Sequence, residues 1–378
     1  MTKVSGLHRW VLVGVGVALL VAAPLLVSAL PAEDRDVGAG ELLASILRSD
    51  EVSFSGYVES RGGVSLPSDE SLASVARLVG SSGSIRVWWA DPDTWRTATL
   101  RTTGETDLLH RDDATLRWVY ESKRITISPD VPVRLPNSSD VLPNVLAPRV
   151  LEGARAGELS RIGAERVAGR TALGLRFSPA DEQASIDHVD VWAEAETGLP
   201  LRVALYPRGA GPAALDTRFV DLELGRPDEE VLTFERPEDA TLNYEDTIDL
   251  AAAADRYADR DVPDTLAGLG SRATGVRSVG VYGRGPTVLL AMPLREDDAD
   301  SLRRQVRVRP GAHCLGGAAV GSMVVRAGPL HMLVTREGDE AWLLTGTVTE
   351  ATVQRAAVEL VGPLPGVTVP DTLEHDCR

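Results

Sequence analysis

The chain has 378 residues, 43% hydrophobic and 25% charged, which suits two or three folded domains and excludes wholesale disorder. A formal charge of −16 repels a phosphate backbone and argues against nucleic-acid binding. With two cysteines, neither a disulfide-dense scaffold nor a cysteine-rich zinc module fits.

In chain order, the first feature is an uncharged run from Trp10 to Leu30. As a helix it spans about 31 Å, the thickness of a bilayer core. Lys3 and Arg9 precede it, and Glu33, Asp34 and Asp36 follow. This predicts a single-pass cell-membrane anchor over residues 1–32, N-terminus cytoplasmic and the bulk of the chain outside. Val27-Ser28-Ala29 leaves a cleaved signal peptide open, with a mature start at Leu30.

Charge divides the rest. Residues 251–378 hold sixteen acids and fourteen arginines, so the acidity belongs to residues 31–250. A first domain is expected over 37–250, a linker over Ala251–Asp261, and a second domain over 262–370, with Pro263 opening a helix. The first domain begins with an amphipathic helix over Glu41–Arg48. Period-2 alternation then predicts strands around Phe54–Val58, Ile85–Trp89, Leu116–Tyr120, Leu173–Phe177, Val189–Val191 and Leu201–Leu205. Turns such as Asp91-Pro92-Asp93 and Ala168-Gly169-Arg170 separate them, so neighbours run antiparallel. Two insertions interrupt the series: a helix over 68–79, and a loop over 128–148 whose five prolines argue against helix or strand. The second domain alternates strands (Val279–Val281, Val288–Ala291, Val324–Val325, Leu330–Val334, Trp342–Gly346) with helices over Asp297–Val306 and after Thr349.

Several segments carry a resemblance in their order and spacing. They are Phe54-Ser55-Gly56, Arg86-Val87-Trp88-Trp89, Trp95-Arg96, Thr115 to Tyr120, Val167 to Arg170, Val191-Trp192 and Thr197 to Arg202. Together they resemble the LolA-like and RseB/MucB-like family of bacterial extracytoplasmic lipoprotein-binding domains, over about residues 40–240. Trp342 to Val361 resembles the end of the RseB/MucB C-terminal domain. The resemblance implies an α+β, mainly antiparallel fold: a curved LolA-like half-barrel with covering helices, plus a smaller α+β C-terminal domain. It implies binding of lipid or lipoprotein acyl chains by a carrier or sensor. The alternative is an RseB/MucB-like regulator that grips a single-pass transmembrane anti-sigma factor through its C-terminal domain.

No constellation for catalysis stands out, and no cofactor or metal is expected. The six histidines are scattered, without HExxH or CxxC spacing. Asp187-His188-x-Asp190 offers an acid–base pair on one strand face, a pattern that a solvated face explains equally well. The acids from Glu296 to Asp300 suit a helix start better than a calcium loop. Alternation assigns an inward wall for hydrocarbon: Phe54, Val58, Val87, Trp89, Leu116, Trp118, Leu175, Val189, Val191, Leu201 and Val203. A register error would swap that set for its neighbours. The helix at 72–79 and the loop at 128–148 are the expected lid and rim. Outside the cytoplasm, Cys314 and Cys377 are expected to pair as a disulfide, two free thiols being the alternative.

Overall fold

The computed structural model describes Trp10 and residues 32–64, 80–101, 104–131, 133–209, 211–244, 254, 261–315, 321–335 and 341–361. The expected anchor (Trp10 apart), the helix at 68–79 and Cys377 lie outside the described residues. Among the described residues no helix is long and apolar enough to cross a membrane.

Helix α1, Ala39–Leu47, buries Leu42 and Ile46, one turn apart on one stripe. Six strands follow: β1 Phe54–Gly62, β2 Ser82–Asp91, β3 Thr94–Arg101, β4 Gly104–Arg111, β5 Ala114–Val119 and β6 Arg124–Pro129. A 3-10 turn, Ser138–Val141, leads into α2, Pro143–Leu151. Then come β7 Leu159–Val167, β8 Arg170–Phe177, β9 Ile186–Glu194, β10 Pro200–Pro207 and β11 Leu215–Leu224. A short helix α3, Glu229–Leu232, and β12, Thr241–Tyr244, complete the first unit.

These strands make one open sheet in the order β12-β6-β5-β4-β3-β2-β1-β11-β10-β9-β8-β7, antiparallel except where β12 lies parallel to β6. Tight turns enforce the meander. Ala168 and Gly169 both have positive φ, the primed-turn geometry that matches strand twist in a two-residue hairpin. The closure between β1 and β11 carries a bulge: Tyr57 faces Asp221 but Val58 faces Phe219, so Val220 is an extra residue.

The second unit is an eight-stranded antiparallel sheet. In chain order it contains β13 Thr265–Leu266, β14 Leu269–Arg272, β15 Gly280–Arg284, β16 Thr287–Leu294, α4 Glu296–Arg307, β17 His313–Cys314, β18 Met323–Ala327, β19 Leu330–Val334, β20 Ala341–Gly346 and α5 Glu350–Val361. The strand order is β13-β14-β15-β16-β20-β19-β18-β17. Helix α5 packs Val353, Ala356 and Ala357 against Leu333, Trp342 and Leu344. Ala299 and Leu302 of α4 pack on the alternate residues Val334, Ala341 and Leu343. One helix therefore covers each face. Cys314 is disulfide-bonded.

Two expectations need correction. Pro263 starts no helix; it leads in extended chain to β13. The proline-rich stretch 128–148 is not a plain loop, since it contains the 3-10 turn and most of α2. Pro143 occupies the first helical position, where no backbone donor is needed, and Pro148 forfeits a single helical bond.

The two units touch in part through residues 183–185. The Gln183 carbonyl accepts from Thr349 N–H (2.8 Å), and Ser185 N–H donates to the Thr347 carbonyl (3.2 Å). Ser185 Oγ donates to the Pro329 carbonyl at 2.5 Å, and Ala184 bridges Val348.

Candidate functional site: the helix-covered face

Residues paired across antiparallel strands share a face. On the β1 side, one row runs Phe54–Trp89–Trp95–His110 across four strands. Its rings form a ladder, Phe54–Trp89 at 6.2 Å, Trp89–Trp95 at 6.0 Å and Trp95–His110 at 5.2 Å, with Phe219 edge-on to Phe54 at 5.3 Å. On the β8 side, a row runs Leu175–Val191–Val203–Thr217–Ser60 and ends on β1. Both halves therefore present one continuous face.

Short helices cover that face. Leu42 and Ile46 of α1, with Ala147, Val150 and Leu151 of α2, pack on Leu175, Phe177, Val189, Val191 and Val203. Val141 and Leu142 reach the cluster of Phe54, Val58, Val87, Trp89 and Leu201. Phe54, Val58, Val87, Leu175, Val189, Val191 and Val203 are inaccessible to solvent in this arrangement. Leu201, at the register shift between Pro200 and Arg202, is buried in the same cluster as Phe54.

Leu116 and Trp118 do not belong to this wall. Leu116 pairs with Leu109, which pairs with Arg96, which pairs with Trp88, all on the opposite face. There Leu116 and Trp118 pack against Phe234, Ala240 and Leu242, in the segment leading to β12. Alternation along β5 was read in the right phase but assigned to the wrong side. The strap formed by residues 233–242 buries these large side chains on the opposite face.

The cover is organised internally by Asp140. Its carboxylate accepts two bonds from Arg134 (2.6 and 2.9 Å), one from Arg149 (2.5 Å) and one from the Asn137 N–H (2.7 Å). Burial raises the carboxyl, but the bonds from Arg134 and the charges of both arginines outweigh it and hold the group below its usual range. Between cover and sheet the Thr97 and Ser138 hydroxyls lie 3.3 Å apart. Arg161 of β7 holds the lead-in to α1, donating to the Val37 carbonyl and to the Asp34 carboxylate at 2.6 Å each, and the helices themselves meet the sheet through apolar side chains.

Two hydroxyls without partners among the described residues break the apolar character of the covered face. They belong to Ser60 and Thr217, which stand opposite each other. An unmet buried hydroxyl costs about 1–3 kcal/mol. No sequence signal marks them, nor does one mark Trp95 and His110 as rungs of the ladder.

The opposite face of β8–β11 is a charge lattice. Arg176 grips Asp190 with two bonds of 2.7 Å, and Arg202 bridges Glu165 and Asp216 while lying over Trp192. His188 contacts Asp187 at 2.7 Å and stacks on Tyr206. Asp190 is committed to Arg176 and lies 3.8 Å from His188, so Asp187-His188-x-Asp190 assembles as part of this lattice. Among the described residues no three His, Cys, Asp or Glu side chains converge as a metal site.

Residues 109–239 match the family model of the MucB/RseB N-terminal domain. No curated protein matches the chain. Similar solved structures include MucB in complex with MucA(peri), 19% identical over 84% of this chain and 97% of that one, with a TM-score of 0.46. The Pseudomonas aeruginosa MucA/MucB complex is 19% identical over 84% and 96%, with a TM-score of 0.48. A LolA superfamily protein from Nitrosomonas europaea is 11% identical over 52% and 98%, with a TM-score of 0.26. Over residues 109–239, from the end of β4 to the strap behind β5, the chain is RseB/MucB-like.

Proposed function

We propose that this chain is an extracytoplasmic binding protein, tethered by residues 10–30, whose helix-covered face receives the acyl chain of a lipid or lipoprotein. The observation that carries this reading is the cover itself. Its polar bonds gather around Asp140 and at its ends, and helices α1 and α2 lie on the sheet through apolar side-chain contacts. Such contacts are non-directional, so hydrocarbon can replace the side chains of α1 and α2 without leaving a polar group unpaired. Each buried methylene contributes about 0.8 kcal/mol, so a long chain needs no charged contact in a domain this acidic. The hydroxyls of Ser60 and Thr217 are placed to donate to an acyl carbonyl.

The test is mass spectrometry of organic-soluble material from the purified chain, followed by titration with a bromine-labelled palmitate. Bromine on the covered face quenches Trp89 and Trp95, and the Trp89→Phe/Trp95→Phe variant loses most of that quenching. Absence of both co-purified lipid and quenching removes the reading.

The second reading is regulation of a single-pass anti-sigma factor through the second unit. It is favoured by the MucB/RseB match and by a complete second sheet fused to the first unit. Crosslinking in membranes tests it: recovery of a single-pass partner with no lipid in the first unit would put it ahead.

A further inference from the structure

Residues of the second unit reach into the end of the covered face. The tip of the β15–β16 hairpin, Arg284-Gly285-Pro286, lies against the C-terminal end of α2. Gly285 has φ +50, and a Cβ there would stand 2.9 Å from both Phe177 Cε1 and the Val150 carbonyl oxygen. Val150 belongs to α2, and Phe177 to the apolar face beneath it.

Arg284 secures this tip. It donates to the Gly153 carbonyl just beyond α2 at 3.0 Å, and to both oxygens of Glu158 at 2.8 and 2.5 Å, with Asp181 2.8 Å away. Glu158 is buried and also accepts from the Arg155 and Ala180 N–H groups. A second bond joins Arg272 to Glu152 at 3.1 Å. The exit from α2 is thus held by the second unit, whereas its entry is held by its own Asp140.

We infer that the β15–β16 hairpin is a clamp on the cover helix, so that filling of the covered face and seating of the second unit oppose each other. This rests on the acyl-chain reading above. Leu175, Val189 and Val191 are sealed beneath α1 and α2, so hydrocarbon reaches them only when the cover lifts. Lifting the end of α2 pulls the Gly153 carbonyl from Arg284 and Val150 from the Gly285 tip. By linkage, a ligand that lifts α2 loosens the seam, and a partner that draws the second unit away frees α2. Arg284 is the positioning residue of this coupling.

The full chain is compared with Arg284→Ala, with Arg272→Ala, and with Arg111→Ala as an exposed ion-pair control. Amide hydrogen exchange in α2 is the first readout and needs no ligand. Arg284→Ala should speed exchange of Val145 to Leu151 while leaving β1–β4 protected, and Arg272→Ala should do so more weakly. Unchanged exchange in α2 overturns the clamp. Should Arg284→Ala prove globally unfolded, the same criterion applies to Arg272→Ala. Palmitate affinity is the second readout, expected to rise about five- to fiftyfold in Arg284→Ala and not in Arg111→Ala. Faster α2 exchange with no palmitate binding in any variant would sink the acyl-chain reading and leave the mechanical clamp standing. Palmitate binding of equal strength in all variants would sink the coupling.

Discussion

The two sheets of this molecule are covered differently. The eight-stranded sheet has a helix on each face, and alternate residues of β19 and β20 serve opposite cores: Leu333 and Leu344 under α5, Val334 and Leu343 under α4. The twelve-stranded sheet has short helices on one face and a charge lattice over much of the other. A strand packed on both sides cannot settle when a side chain is trimmed. A face under two short helices can, because the cover can move. The first arrangement suits a rigid body and the second suits a site.

Truncation tests this contrast most sharply. Leu344→Ala should cost about 4 kcal/mol, since the cavity it leaves is enclosed from both directions. Leu146→Ala, on the half-buried side of the cover, should cost about 1 kcal/mol. Urea unfolding of both variants checks the comparison, and equal losses would erase it.

The seam between the units comes next. Glu158→Gln should destabilise by about 2 kcal/mol, because it leaves the partly buried Arg284 guanidinium with one carboxylate instead of two. The bonds from Arg284 hold the Glu158 carboxyl down at about 2, against the cost of burying it. Its contribution is therefore complete above the ordinary carboxyl range near 4.5 and is lost as pH falls through about 2. The acid limb of the stability profile should move to higher pH when Arg284 is replaced by alanine. An unmoved limb would mean that the pair is not coupled.

A smaller effect is expected at His331, buried on β19 opposite Gly346 of β20. Its Nδ1 has no partner among the described residues. Burial pushes its pKa below 6.5, against a backbone bond to Val348; Arg326 lowers it further and Glu350 raises it. A depressed histidine favours the neutral form, so the folded protein should lose stability as pH drops below about 6.5. His331→Phe should flatten that part of the melting-temperature profile.

The smallest effect carries the opposite sign. Ser60→Ala with Thr217→Val removes two unpaired hydroxyls and should stabilise the ligand-free chain by about 1 kcal/mol. The same pair of changes should weaken binding of palmitate methyl ester. Stabilisation without loss of binding would make the hydroxyls mere packing.

How much of this was legible depended on phase. Strands β2, β8, β9 and β10 alternate cleanly, and the wall residues taken from them share one face. Strand β11 escaped notice because its phase slips at Val220: Leu215, Thr217 and Phe219 continue the face as odd positions, and Leu222 and Leu224 as even ones. Strand β4 escaped because it buries Asp107, ion-paired to Arg96, and His110 within an otherwise ordinary ladder. Leu116 and Trp118 were given the wrong side because alternation says which residues share a face and not which face the core occupies. Helix α2 was hidden by its prolines. The hairpin clamp had no local signal, since it depends on where two units meet.

The pairing of β1 with β11 has a further consequence, in time. Phe54 lies beside Leu224, 170 positions along the chain, while β2 begins only 20 positions after the end of β1. During synthesis the first half of the large sheet can zip up early, but the other edge of β1 waits until β11 has emerged. Closing a contact of that span is slow, and an open strand edge invites foreign pairing in the interval. The bulge at Val220 twists the late partner and narrows the registers it can accept. A lone fragment ending before Leu215 should therefore form the β2–β6 meander and yet aggregate through β1.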